Sequence, residues 1–225
     1  MRSAPEPLVI LRRPAAWGDL AAFSHVGLER EGNEDRFDAS PDGEVFAVAD
    51  GMGGHDDGEV AAEAAVRAAC AGGGTVVQAV ERAQRAVLPL ARGRRHSAPG
   101  CTLVVVRVAP GGRSAEVGWV GDSRAYLWDG AWLAPLTRDH SLGRSLARCI
   151  GGGIDDAKPD VVTVDVRPGA WLLVCTDGLH GFVKDHRIAE ALRVPTRAEA
   201  LPRLLDAACR RGAPDNVTCV LARFA

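Results

Sequence analysis

Residues 101–136 read CTLVVVRVAPGGRSAEVGWVGDSRAYLWDGAWLAPL. Four β-prone runs, 102–108, 115–120, 124–128 and 131–136, are separated by Pro-Gly-Gly, Gly-Asp and Asp-Gly, the residues that tight turns use. This spacing predicts a meander of antiparallel hairpins. Upstream, residues 44–49 (Glu-Val-Phe-Ala-Val-Ala) form a short strand that runs into Asp50-Gly51. Residues 59–70 place Val60, Ala61, Ala64, Ala65 and Ala68 at helical spacing, with Glu59 and Glu63 early and Arg67 late, as the helix dipole favours. After Gly72-Gly73-Gly74, residues 75–91 carry Val76, Val77, Val80, Ala83, Val87 and Leu90 on one helical face. Downstream, 160–166 and 170–176 read as a hairpin around Arg167-Pro168-Gly169. Residues 185–193 and 197–210 read as helices, the second capped by Thr196 and carrying Pro202, and 217–224 as a last strand. Strands and helices come in blocks instead of alternating, which argues for an α+β fold with antiparallel sheets and helices laid on their faces.

The chain has 225 residues, 47% hydrophobic and 25% charged, which is ordinary globular usage and weighs against disorder or a coiled coil. The first twenty residues, punctuated by Pro and Arg, read as an N-terminal arm (1–20), leaving 21–225 as a single domain. Basic residues number 27 and acidic residues 29, a formal net charge of −2, so the basic excess of a nucleic-acid binder is missing. Cysteines at 70, 101, 149, 175, 209 and 219 include no C-x-x-C and sit mostly in apolar stretches such as Leu172-Leu173-Val174-Cys175. They read as buried free thiols in a reducing compartment. No apolar run approaches the length of a membrane span, and Arg12, Arg13 and Pro14 interrupt the only apolar stretch near the start. The expectation is a cytoplasmic protein without membrane contact.

Three aspartates carry the chemical signal. Asp50 and Asp177 each end an apolar strand and precede Gly, and Asp215 comes just before the last strand. If that strand runs antiparallel to either of the others, the carboxylates meet at one end of the sheets, and such a gathering needs a cation. Hard divalent ions take oxygen ligands, and Gly beside an aspartate lets a backbone carbonyl reach the same ion. Asp-Gly is also common hairpin chemistry, to which Asp42-Gly43, Asp57-Gly58 and Asp129-Gly130 are assigned. On the residues alone, Asp50 and Asp177 fit metal ligation and turn chemistry alike.

Six segments then carry a resemblance: Ser24-His25-Val26-Gly27-Leu28-Glu29-Arg30-Glu31-Gly32-Asn33-Glu34-Asp35, Val48-Ala49-Asp50-Gly51-Met52-Gly53-Gly54-His55, Gly121-Asp122-Ser123-Arg124-Ala125-Tyr126, Thr137-Arg138-Asp139-His140-Ser141, Thr176-Asp177-Gly178-Leu179 and Pro214-Asp215-Asn216-Val217-Thr218. In order and spacing they resemble the motif set of the metal-dependent protein phosphatases, the protein phosphatase type 2C family, in its bacterial form. The resemblance implies a four-layer αββα fold, a β-sandwich of two antiparallel sheets flanked by helices on both faces. It also implies hydrolysis of phosphoserine and phosphothreonine in proteins with two Mn²⁺ or Mg²⁺ ions. Carried over by residue, Asp50 would bridge both ions, Gly51 would offer its carbonyl, and Asp177 and Asp215 would complete the set. Glu34 and Asp35 would hold metal-bound waters, Asn216 would fix the Asp215 loop, and Arg30 would bind phosphate oxygens through its planar fork. The nucleophile would be a water held between the ions. His55 could serve as general acid or substrate contact, or be only a polar turn residue. The implied partners are phosphorylated Ser/Thr proteins, a bacterial Ser/Thr kinase or its substrates, met by a monomer.

The sequence departs from the family pattern twice. The aspartate usually found four residues after the Asp177 position is Gly181 here. Asp122, its partner for a third ion in the family, is kept, so a third ion would need other ligands such as His180. The family's mobile flap after Thr-x-Asp-His-Ser shrinks to Leu142–Ile150, read as one short helical segment at most. These departures motivate an alternative, a phosphatase-like module that binds phosphoproteins with weak or no turnover. Arg92-Gly93-Arg94-Arg95-His96, the one basic cluster, reads as a solvated loop or as a landing site for an acidic phosphopeptide. Ser123 lies outside any G-x-S-x-G elbow, and the Gly-rich stretches lack the Gly-Lys-Ser/Thr of a P-loop.

Overall fold

The structure is a computed structural model that describes residues 8–52, 57–91, 98–142, 145–153 and 157–225. Eleven strands make its two main sheets: β1 Leu8–Ala15, β2 Gly18–His25, β3 Arg36–Ala39, β4 Val45–Ala49, β5 Leu103–Val108, β6 Ser114–Val120, β7 Arg124–Trp128, β8 Leu133–Pro135, β9 Asp160–Asp165, β10 Trp171–Cys175 and β11 Val217–Phe224. Five helices accompany them: α1 Asp57–Cys70, α2 Val76–Val87, α3 Asp177–His180, α4 Asp185–Leu192 and α5 Arg197–Cys209. Sheet I has the order β1-β2-β11-β10-β7-β8 and sheet II the order β9-β6-β5-β4-β3, every neighbouring pair antiparallel. Leu8–Ala15 of the N-terminal arm pairs along β2 and so forms the edge of sheet I.

Side-chain alternation builds the layers. In β2, Leu20 and Ala22 point into the core between the sheets, and Ala21 and Phe23 point into a second core beneath α3, α4 and α5. In β11, Val220 and Ala222 share the first direction, Cys219 and Leu221 the second. On the far side, Val45, Ala47 and Ala49 of β4 pack with α1 and α2 in a third core, while Phe46 and Val48 face sheet I. The result is the expected four-layer αββα sandwich. A sheet covered on both faces has no wet side, which is why Val45–Ala49 and Trp171–Cys175 are apolar at every position.

Three sequence expectations need correction. The run 102–136 is not one meander: β5–β6 is a hairpin of sheet II, β7–β8 a hairpin of sheet I, and Gly121-Asp122-Ser123 carries the chain from one sheet to the other. Nor do 160–166 and 170–176 pair, since β9 lies on the edge of sheet II and β10 in the middle of sheet I. Turn residues mark where a strand stops, and Pro-Gly serves a crossing as well as a hairpin. The shortened flap is not helical in its described part: Ser141–Leu142 pairs with Ser145–Leu146 as a small hairpin. All six cysteines are free and only Cys209 is partly exposed. Among the described residues no helix is long and apolar enough to cross a membrane.

Leu172 is fully buried between the sheets. Leu172→Ala is expected to lower stability by about 2–5 kcal/mol in urea unfolding, through lost transfer energy and the cavity left behind.

Candidate metal centre

Asp177 follows β10 and Asp215 precedes β11, and because these strands run antiparallel with Cys175 opposite Cys219, both carboxylates stand at the same end of neighbouring strands in sheet I. Asp50 comes from sheet II, at the end of β4, so it reaches the group across the seam between the sheets and not from a neighbouring strand. Glycine makes the convergence possible. A Cβ on Gly178 would lie 1.8 Å from the Asn216 carbonyl oxygen, and one on Gly51 would lie 2.2 Å from that of Gly58. Asp57-Gly58 is accordingly not a hairpin turn but the first turn of α1, pressed against Gly51 and Glu34.

The carboxylates share one electrostatic environment. Burial, then the charges of Asp35, Asp177, Asp215 and Asp122, hold the Asp50 pKa well above the usual carboxylate range. Burial pushes Asp35 up to about 7 against the opposing hydrogen bonds of Thr176 and Thr218. Burial and the charges of Asp215 and Asp122 push Asp177 up to about 6. Asp122 is raised as well, first by burial. Arg30 sits at the solvent side, its Nη2 donating to Asp215 Oδ2 at 2.9 Å with half its side chain exposed. Its pKa is raised, first by that bond and then by the Asp215 charge, with smaller contributions from Glu34 and Asp50. Of the expected residues, Asp50 therefore feels the charges of Asp35, Asp177, Asp215 and Asp122, and Arg30 those of Asp215, Glu34 and Asp50. His55 lies outside the described residues, as does the basic cluster 92–96.

Neutral groups beneath the carboxylates hold them in place. Thr102 Oγ1 accepts the Asp50 N–H at 3.0 Å, the Thr102 N–H returns a bond to the Asp50 carbonyl at 2.8 Å, and Ser123 Oγ braces Thr102 Oγ1 at 2.7 Å. Thr176 Oγ1 donates to Asp35 Oδ2 at 2.8 Å and accepts the Thr218 N–H at 3.0 Å. Asn216 ties three segments together: Oδ1 accepts the Glu34 N–H at 2.8 Å, and Nδ2 donates to the carbonyls of Val26 and Gly32 at 2.8 and 2.9 Å. The sequence reading missed Thr102, Ser123, Thr176 and Thr218 in this role. Thr176, Ser123 and Thr218 stood inside the quoted motifs, so position was their only signal.

The carboxylates converge without closing, for among the described residues no three His, Cys, Asp or Glu side chains are gathered tightly enough to enclose one ion. Two observations nonetheless fit hard divalent cations. Asp177 Oδ1 is buried with no hydrogen-bond partner, an acceptor left for something positive, and the donors on offer are all oxygen. Near Asp122, the His180 ring hydrogen-bonds the Asp122 backbone, its Nε2 is buried without a partner, and burial followed by the Arg124 charge lowers its pKa to about 4. A Cβ at Gly181 would lie 2.7 Å from the Asp177 carbonyl oxygen, so Gly181 occupies a tight position. His140, next to Ser141 of the small hairpin, is tied down on both ring nitrogens: Nδ1 accepts the Gly121 N–H at 3.2 Å, and Nε2 lies 3.3 Å from Asp160, which Arg148 also meets at 2.9 Å.

Residues 29–224 match the family model for protein phosphatase 2C. The chain belongs to the protein phosphatase 2C family. It is 32% identical to the serine/threonine protein phosphatase PstP of Mycobacterium tuberculosis over 90% of this chain and 44% of that protein, so it spans less than half of PstP's length. With the serine/threonine phosphatase stp of Listeria monocytogenes it shares 28% identity over 87% of this chain and 91% of that one. The catalytic domain of PstP, crystallised with two manganese ions, superposes with a TM-score of 0.81 at 33% identity, covering 91% of this chain and 96% of the other.

The shifted carboxyls make stability depend on pH and metal. Unfolded, Asp35, Asp50 and Asp177 ionise near 4; folded, Asp35 keeps its proton to about 7, Asp177 to about 6 and Asp50 higher than usual. Between these values the folded state holds more protons, so these groups lower stability as pH rises through the window. His180, neutral in the fold down to about 4, acts oppositely below 6.5, but it is one group against three. The metal-free melting temperature is therefore expected to be lower at pH 8 than at pH 5, and Mn²⁺ is expected to raise it more at pH 8. Thermal denaturation at both values, with and without metal, checks this.

Proposed function

We propose that this chain is a metal-dependent phosphoprotein phosphatase that hydrolyses phosphoserine and phosphothreonine with Mn²⁺ or Mg²⁺. One observation carries the reading: the charge of Asp50, Asp177 and Asp215 is drawn together under burial while an oxygen of Asp177 has no partner. When bound, divalent ions would supply the Lewis acidity that makes a water a nucleophile for phosphorus. Asp50 and the Gly51 carbonyl would hold the ions together with Asp177 and Asp215, Glu34 and Asp35 would orient waters around them, and Asp122, with His180 near it, would be a further ligand on the α3 side. Arg30 leaves Asp215 to take the phosphate oxygens with its planar fork, and Asn216 keeps the Glu34 and Asp215 segments in register. We place the protein in the cytoplasm as a monomer that opposes a Ser/Thr kinase, a reading supported by its free, mostly buried thiols.

Purified protein is expected to release phosphate from a phosphothreonine peptide only with Mn²⁺ or Mg²⁺, and Asp50→Ala to reduce the rate by more than about 100-fold. Release that survives chelation, or an Asp50→Ala variant as active as the parent, would sink the reading. Gly181 and the small hairpin favour a second one, a phosphoprotein-binding module without turnover. Tight phosphopeptide binding with no phosphate release at any metal concentration would establish it.

A further inference from the structure

A groove of 590 Å³ runs between α4 and α5, and none of the carboxylates of the candidate metal centre lines it. Four arginines line it, Arg187 on α4 and Arg203, Arg210 and Arg211 on and just after α5. Its two acidic residues are already engaged, Glu190 by Arg187 at 2.6 Å and Asp206 by Arg210 at 2.8 Å, each within its own helix. Among the described residues Arg203 and Arg211 have no carboxylate partner. The lining charge is 4 − 2 = +2, whereas the whole chain carries −2, so the remainder carries −4. A cationic strip on an anionic body focuses its field on one place. Val183, Ala191 and Ala207 give the groove an apolar floor.

The chain path fixes where the groove begins. Val183, six residues after Asp177, is held by its N–H to the Leu179 carbonyl at 2.8 Å, and Arg211 stands four residues before Asp215. The short link between α4 and α5 makes them antiparallel neighbours, so the start of one lies beside the end of the other, on the side of the carboxylates. Along α5, Arg203 and Arg210 are seven residues apart, two turns and about 10 Å on one face. An extended peptide spans that distance in about three residues.

We propose that the α4–α5 groove is a docking site for an extended acidic peptide segment, whose carboxylates, about three residues apart, are taken by Arg203 and the Arg210–Arg211 end. Guanidinium forks match carboxylates two oxygens at a time, and the paired arginines can exchange their own helix partner for the peptide. A partner carrying this segment is delivered with its neighbouring residues beside Asp177 and Asp215. The site concerns binding, and it holds whether or not the carboxylate centre turns substrate over.

The test is fluorescence anisotropy of a labelled, unphosphorylated Glu-rich octapeptide titrated with the full chain at low salt and without added metal. The parent is expected to bind it well above a neutral peptide of equal length, and Arg203→Glu/Arg211→Glu to weaken binding about tenfold or more. Raising NaCl from about 20 to about 200 mM is expected to weaken the parent to a similar degree. Equal affinity in parent and variant, or no preference over the neutral peptide, would overturn the proposal. So would tighter binding of a single-stranded oligonucleotide of the same charge. Metal-dependent hydrolysis of p-nitrophenyl phosphate, expected to be unchanged in the variant, reports on the carboxylate centre separately.

Discussion

Like charges held together out of water set the terms for this structure. Asp35, Asp50 and Asp177 all resist ionisation because burial and one another's fields disfavour it. Such a group persists only where the scaffold is stiffer than the repulsion. Two packed sheets provide that stiffness, and uncharged groups do the positioning: Thr102 and Ser123 beneath Asp50, Thr176 and Thr218 beneath Asp35, Asn216 beneath the Glu34 and Asp215 segments. A charged brace in their place would have neutralised the very potential that attracts a cation.

The layers follow from the same need. A seam between two sheets lets ligands arrive from opposite sides, Asp50 from sheet II and Asp177 from sheet I, each at the end of a strand apolar at every position. Burying both faces of both sheets requires helices outside each, which α1 with α2 and α4 with α5 supply.

Much of this was legible in the residues. The helical stripes of 59–70 and 75–91, the strand ends at Asp50 and Asp177 and the block order led to an α+β fold with antiparallel sheets, and the six ordered motifs led to the family and, through it, to the sandwich. The pairing of strands was not legible. Pro168-Gly169 and Gly121-Asp122 look like hairpin turns, yet each carries the chain between sheets. Local turn chemistry says that a strand ends; which sheet receives the next one is decided by apolar faces far along the chain. For the same reason the bracing threonines and Ser123 could not be singled out, since a hydroxyl beneath a carboxylate has no sequence period. The flap stub, expected as a helical segment, pairs as a hairpin because Ser141–Leu142 finds Ser145–Leu146 only a few residues away.

The pairing of β2 with β11 closes a very long loop. Ser24 Oγ meets Thr218 Oγ1 at 2.7 Å across a sequence separation of 194, and the neighbouring Thr176 hydroxyl donates to Asp35. Contacts this remote are costly to form, because the entropy of closing the loop must be met before the pairing returns anything. A partly folded chain can build α1, α2 and sheet II and still lack Asp215 at its place beside Asp177. Ion affinity is thus reserved for the finished topology, and an ion that binds lends its free energy to that topology alone, selecting completed molecules from incomplete ones.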